Sequence, residues 1–154
     1  MQKSALIEKF YLDASKGIKA TWLENSSTKW YDYISDLPVQ LKNTYIIVVL
    51  HNQVFNGGFH QYFVNGYGQF AQETITALLD IGALKRSSLL KQAYEIVNSN
   101  RIPARTFRKQ LLDKQIKPLF ITDELYGPLD ELDNEYYNVI DEEIEELLYN
   151  YLTR

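Results

Sequence analysis

His51 and His60 are the only imidazoles in this 154-residue chain, and it contains no cysteine. The chemistry open to it is therefore narrow. Without a thiol there is no disulfide, no thiolate nucleophile and no cysteine-based zinc site. The two histidines stand nine residues apart, whereas a zinc-binding pair on one helical face needs a spacing of i and i+4. Gly66-Tyr67-Gly68 lacks the third glycine and the preceding strand of a dinucleotide loop, and no Lys-Ser or Lys-Thr follows a glycine-rich turn as a P-loop requires. There is no Gly-x-Ser-x-Gly elbow, and Asp123, Glu124, Asp130, Glu131 and Asp133 lack the spacing of a calcium loop. The residues nominate no catalytic group, no metal ligand and no cofactor site.

Charge is more informative in its placement than in its total. Residues 1–84 carry six basic and seven acidic side chains, and residues 85–117 carry nine basic and two acidic. Residues 123–154 carry one basic and eleven acidic, so the formal net charge of −4 conceals a basic segment followed by an acidic one. Asp141, Glu142, Glu143, Glu145 and Glu146 fall on the polar side of a final helix whose apolar stripe is Ile140, Ile144, Leu147, Leu148, Tyr151 and Leu152. On a helix those five carboxylates would stand roughly 2 Å apart along the axis. Duplex DNA carries about one charge per 1.7 Å. The run spans under about 10 Å, so a homodimer would extend a footprint that one chain only begins.

Such a face suits a basic protein partner, a DNA-binding protein among them. Two plainer readings stand beside it: the carboxylates solvate an amphipathic helix, or they pair with the chain's own 85–117 segment. That basic segment raises the opposite possibility. Arg101, Arg105, Arg108 and Lys109 have helical spacing, with Lys85, Arg86, Lys91, Lys114 and Lys117 around them. Overall acidity ranks direct nucleic-acid binding below protein binding.

The elements that must position these groups are helical. Apolar stripes of helical period run through Leu6, Ile7, Phe10 and Tyr11, then Trp30, Tyr33, Ile34 and Leu37, the latter ended by Pro38. Leu41 to Phe55 contains a β-branched run that would suit a buried strand, yet Leu41, Tyr45, Val48 and Phe55 fit one helical face, and the neighbours favour a buried helix. Ala71, Ile75, Leu78 and Leu79 precede Gly82, placed for a left-handed terminus. Ser87 or Ser88 is placed to cap the next helix, and Pro103 to open the one after. From Gln115 to Asn134 the period fades, and Pro118, Gly127 and Pro128 mark a long connection. The expectation is one all-α domain over 1–154, aromatic in its core, with an acidic segment over 123–154 and an acidic amphipathic helix at its end.

Within 56–65 the rhythm breaks at Asn56-Gly57-Gly58 and resumes at Phe59, His60, Gln61, Tyr62 and Phe63, ending at Asn65. The physical reading is a sharp corner between two helices, with glycine tolerating positive φ and Asn56 and Asn65 as caps. His60 and Gln61 are the candidates should this corner be an enzyme's site, but a lone histidine among aromatic residues is more often a hydrogen-bonded structural group. The octapeptide at 56–63, followed by Asn65-Gly66, Gly68 and the stretch at 77–84, resembles a bacterial family named after a DNA-mimic protein. That resemblance covers about residues 20–100. It implies an all-α fold, no known enzymatic activity and, in the named case, an acidic surface occupying the DNA site of a transcription factor.

The amino terminus has Glu8 and Lys9 where a secretory signal needs an apolar stretch. The longest apolar run, Tyr45 to Leu50, is far short of the roughly 20 residues of a membrane span. A cytoplasmic location is expected.

Overall fold

The β-branched run Ile46-Ile47-Val48-Val49 lies in a helix. Ile46 and Ile47 are fully buried and Val49 nearly so, because this helix is enclosed on several sides, and a fully enclosed helix needs no polar face. The computed structural model of the chain describes residues 2–23 and 26–154, and among these there is no strand. In chain order the helices are α1 (Lys3–Ser15), α2 (Lys29–Ser35), α3 (Val39–Val64), α4 (Ala71–Ile81), α5 (Leu84–Val97), α6 (Ala104–Leu112), α7 (Lys117–Phe120), α8 (Tyr126–Tyr137) and α9 (Ile144–Leu152). Short 3-10 turns at Ala20–Leu23 and Tyr67–Phe70 join them. No helix among the described residues is long and apolar enough to cross a membrane.

The central element is α3, which packs against α1, α4 and α8, while α9 lies on α1 and α4. Around it the core is lined by rings. Tyr45 stacks on Tyr11 at 5.7 Å, Trp30 meets Phe70 edge-on at 5.5 Å, and Phe59 meets Tyr136 edge-on at 5.7 Å. Polar tips are satisfied within it, as where the Trp30 indole N–H donates to the Tyr45 hydroxyl at 3.1 Å.

The ends of the helices follow local chemistry, with corrections to the sequence reading. Gly82 ends α4 at φ 90°, ψ 12°, the left-handed terminus that its position suggested. Pro103 immediately precedes α6. Neither Ser87 nor Ser88 caps α5, because that helix already begins at Leu84; the Ser87 hydroxyl instead donates to the Ile75 carbonyl at 2.8 Å, tying α5 to α4.

The expected long connection at 115–134 holds the short α7 and most of α8. Both prolines fit: Pro118 sits in the first turn of α7 and Pro128 in the first turn of α8, where no intrahelical N–H bond is needed. The inward stripe of α8 is Leu129, Leu132, Asp133 and Tyr136. A carboxylate at a core position hid its period.

Candidate functional site

The Asn-Gly-Gly segment is built around a buried carboxylate. Helical geometry in α3 is interrupted at Gly57 (φ −155°, ψ 16°) and Gly58 (φ 79°, ψ −179°). The second conformation is open essentially only to glycine. A Cβ on Gly58 would lie 2.1 Å from Asp133 Oδ2. The Phe59 N–H, freed by the interruption, donates to Asp133 Oδ1 at 2.7 Å. Burial holds the Asp133 carboxyl above the usual carboxylate range, with the Phe59 hydrogen bond opposing that shift. Phe59, Tyr62 and Phe63 all point into the core.

The polar members of the motif bond to one another. Asn56 Nδ2 donates to Gln61 Oε1 at 3.3 Å, Gln61 Nε2 to Gln53 Oε1 at 3.0 Å, and Asn65 Nδ2 to the same Gln53 oxygen at 2.9 Å. Asn65 stands at the C-cap of α3, as its place suggested, its backbone N–H donating to the Gln61 carbonyl at 2.9 Å, whereas Asn56 lies within α3 and caps nothing; both side chains join the amide chain across the interruption. His60 is half-buried, stacked on Tyr126 at 4.1 Å, and its Nε2 lies 3.2 Å from the Leu119 carbonyl, to which a protonated Nε2 donates. This arrangement joins α7 and α8 to the residues just past the interruption in α3.

The acidic residues are arranged differently from the sequence expectation. The last helix begins at Ile144, so Asp141, Glu142 and Glu143 precede it and only Glu145 and Glu146 lie on its first turn. Ile140, read as part of its apolar stripe, is 94% exposed. Glu142 is buried and accepts the N–H groups of Lys85 at 2.7 Å and Arg86 at 2.9 Å. It thereby satisfies the start of α5, whose own cap position is Ala83, a residue with no polar side chain. Asp141 pairs with Lys85 Nζ at 2.7 Å, and Glu146 pairs with Lys3. Part of the acidic segment is thus met by the basic one, as the internal-pairing reading expected.

The remainder is open. Asp123, Glu124, Asp130, Glu131, Glu135, Glu143 and Glu145 are exposed and, among the described residues, have no ion pair. Glu143 and Glu145 join Glu8 on the rim of a groove of about 470 Å³ between α1, α3 and α9. Its floor is apolar, with Ile7, Val48 and Leu148, and among the described residues no cation lines it. His51 forms part of the wall. Burial, with the nearby Arg86 charge adding, pushes its ring down to about 4, so it is neutral near pH 7. The neutral ring sits 2.9 Å, at Nδ1, from the Tyr136 hydroxyl, whose burial keeps it protonated.

Of the basic segment, Arg86 is consumed by structure. Its guanidinium lies 4.3 Å over the Tyr136 ring and donates to the carbonyls of Glu142, Tyr136 and Val139. Arg105 and Lys109 are exposed on α6, with Arg108 laid over the Tyr31 ring at 4.0 Å. Among the described residues, no three His, Asp or Glu side chains come together in a way that would hold a metal ion.

A family model described as DMP19-like protein matches residues 35–154. The match runs to the end of the chain, so it takes in the acidic segment that the 20–100 resemblance left outside. No curated protein and no solved structure matches the chain. With more than two thirds of its length covered, the chain belongs to the DMP19-like family.

Proposed function

We propose that this member of the DMP19-like family works by binding a basic protein surface through its carboxy-terminal third, in the manner of a DNA mimic facing a DNA-binding protein. The observation that carries the reading is the seven exposed carboxylates between Asp123 and Glu145 that lack an ion pair among the described residues. A segment whose charge served only to balance the basic helices would leave fewer of them open. Asp130, Glu131 and Glu135 project from α8, and Glu143 and Glu145 stand at the start of α9. Carboxylates on a folded scaffold offer fixed negative charge to Lys and Arg side chains as phosphates do, raising association rates and favouring basic partners. Glu142 drops out of the binding set, since its carboxylate is buried on α5; Asp141 and Glu146 enter it only by exchanging a lysine partner.

The apolar floor beside Glu143 and Glu145 adds a second kind of contact. A recognition element carrying both basic and apolar side chains would bury the latter in the groove while its cations meet the rim. A homodimer would enlarge the charged footprint toward that of a duplex.

The test begins with affinity capture from the native cell, followed by binding measurements on the purified partner. Binding is expected to weaken steeply as salt rises from low to physiological levels, and to compete with the partner's own duplex. A variant with Glu131, Glu135, Glu143 and Glu145 changed to Gln should bind at least about tenfold more weakly, the equivalent of about 1.4 kcal/mol. Salt-independent binding, or full affinity in that variant, would overturn the proposal.

A further inference from the structure

Apart from the acidic face, α6 and α2 border a groove of about 610 Å³ whose lining includes Arg105, Arg108, Lys109 and Asp32. The volume falls within the range of small-molecule sites. The three cations are not spent on the fold to the same degree. Arg105 has no hydrogen bond or ion pair among the described residues, and Lys109 has only a long contact, 3.7 Å, to Asp113. Arg108 lies over the Tyr31 ring at 4.0 Å, and the Tyr31 hydroxyl is in turn fixed by donating to Glu73 Oε1 at 2.6 Å. Stacking leaves the edge donors of a guanidinium available, which is how arginine presents a fork to an oxyanion.

A second observation comes from the wall of the same groove. Gln69 is 2% exposed; its Nε2 donates to the Gly66 carbonyl at 2.9 Å, while its Oε1 has no partner among the described residues. A buried acceptor left open costs stability unless something donates to it. The hydroxyls of Thr28 and Thr106 also border the space. The groove therefore combines cationic donors and neutral hydroxyls, with an unpartnered acceptor buried in the residue that forms its wall.

We propose that this groove binds a small phosphate monoester that also carries a hydroxyl or amino donor, a molecule of about mononucleotide size. The lining side chains carry a formal +2, which the Asp113 carboxylate 3.7 Å from Lys109 partly offsets, and a phosphate monoester near neutral pH carries about −1.5 to −2. Arg105 and Arg108 hold the phosphate oxygens, Lys109 supplies a further point charge, and the ligand's own donor meets Gln69 Oε1. Duplex DNA fits poorly, because its contacts extend over many phosphates and the protein as a whole is acidic. The proposal is independent of the acidic face.

The experiment is a calorimetric and NMR titration of the full chain with inorganic phosphate, adenosine monophosphate and adenosine, at ionic strength matched with chloride. Saturable binding is expected for the monophosphate, weaker for phosphate, and absent for adenosine, with shifts concentrated at 104–112 and Gln69. Arg105→Gln should weaken the monophosphate at least about tenfold, the loss of one charge-assisted hydrogen bond. Asp32→Asn should tighten it several-fold by removing the opposing carboxylate. Lys117→Gln, an exposed cation outside the groove, should leave it unchanged. All three positions carry exposed side chains, and an unaltered melting temperature confirms that each variant folds. Absence of saturable binding up to the tens-of-millimolar range overturns the proposal, as does equal weakening by Arg105→Gln and Lys117→Gln, or an Asp32→Asn variant that binds no tighter.

Discussion

Glu142 and Arg86 meet through each other's backbone: the Glu142 carboxylate accepts the Arg86 N–H at 2.9 Å, and Arg86 Nε donates to the Glu142 carbonyl at 3.0 Å. The pair joins the start of α5 to the connection before α9, two segments more than fifty residues apart. Because the carboxylate caps a helix that has no polar cap residue of its own, its removal leaves two orphan donors. Glu142→Ala should cost about 2–3 kcal/mol in urea denaturation, and Glu142→Gln, which keeps one acceptor, about 1 kcal/mol. A loss below about 0.5 kcal/mol in the alanine variant would show that the contact is dispensable.

Gly58 is fixed by the residue it faces. A Cβ there meets Asp133 Oδ2 at 2.1 Å, at a φ of 79°, so Gly58→Ala combines backbone strain of about 1–3 kcal/mol with a steric clash. We expect a drop in melting temperature larger than that of Gly127→Ala, where a Cβ meets nothing within 4 Å. Asp133→Asn keeps an oxygen for the Phe59 N–H and loses a charge that burial disfavours. It should stay within about 1 kcal/mol of the parent, whereas Asp133→Leu strands the N–H and should cost about 2–3 kcal/mol. Equal stability of the Asn and Leu variants would refute the hydrogen bond's role.

The sequence shows the helical class because most helices carry their period openly; α3 is readable as helix from the face of Leu41, Tyr45, Val48 and Phe55, although Phe55 itself is exposed beside the glycine interruption. It misleads at α8 because Asp133 stands where a stripe would have an apolar residue, and the reason for that carboxylate lies at Phe59, seventy-four positions away. The acidic run at 141–146 reads as one helix face only if the helix includes it. What moves the boundary to Ile144 is again distant: Glu142 turns toward the N–H groups of α5. Arg86 looks like part of a basic surface until Tyr136, Val139 and Glu142 are seen around it. Pairings across long sequence separation are invisible to period and spacing, and they decide which charges are left for a partner.

His51 sets a pH dependence whose sign follows from its environment. The folded ring titrates at about 4 and the unfolded one near 6.5, so between these values the unfolded chain binds more protons. Stability is then full above pH 6.5 and is lost as pH falls toward 4, by at most about 3 kcal/mol. Denaturation at pH 7, 5.5 and 4.5 should show the decline, and His51→Gln should flatten it. An unchanged slope in the variant would assign the acid sensitivity to other groups.

Exposed like charges cost stability where they are kept for another purpose. Glu131 and Glu135 lie at i and i+4 on α8, both exposed and without an ion pair among the described residues. Changing both to Gln should therefore stabilise the isolated protein by about 0.3–0.5 kcal/mol at low salt, and the gain should vanish at high salt as screening removes the repulsion. The same substitutions should slow association with a basic partner, since the lost field acts on the encounter. Opposite signs for folding and binding, measured on one variant, distinguish carboxylates held for recognition from carboxylates that only solvate a helix. If the variant folds less stably at low salt, these glutamates support α8 directly and the recognition argument loses them.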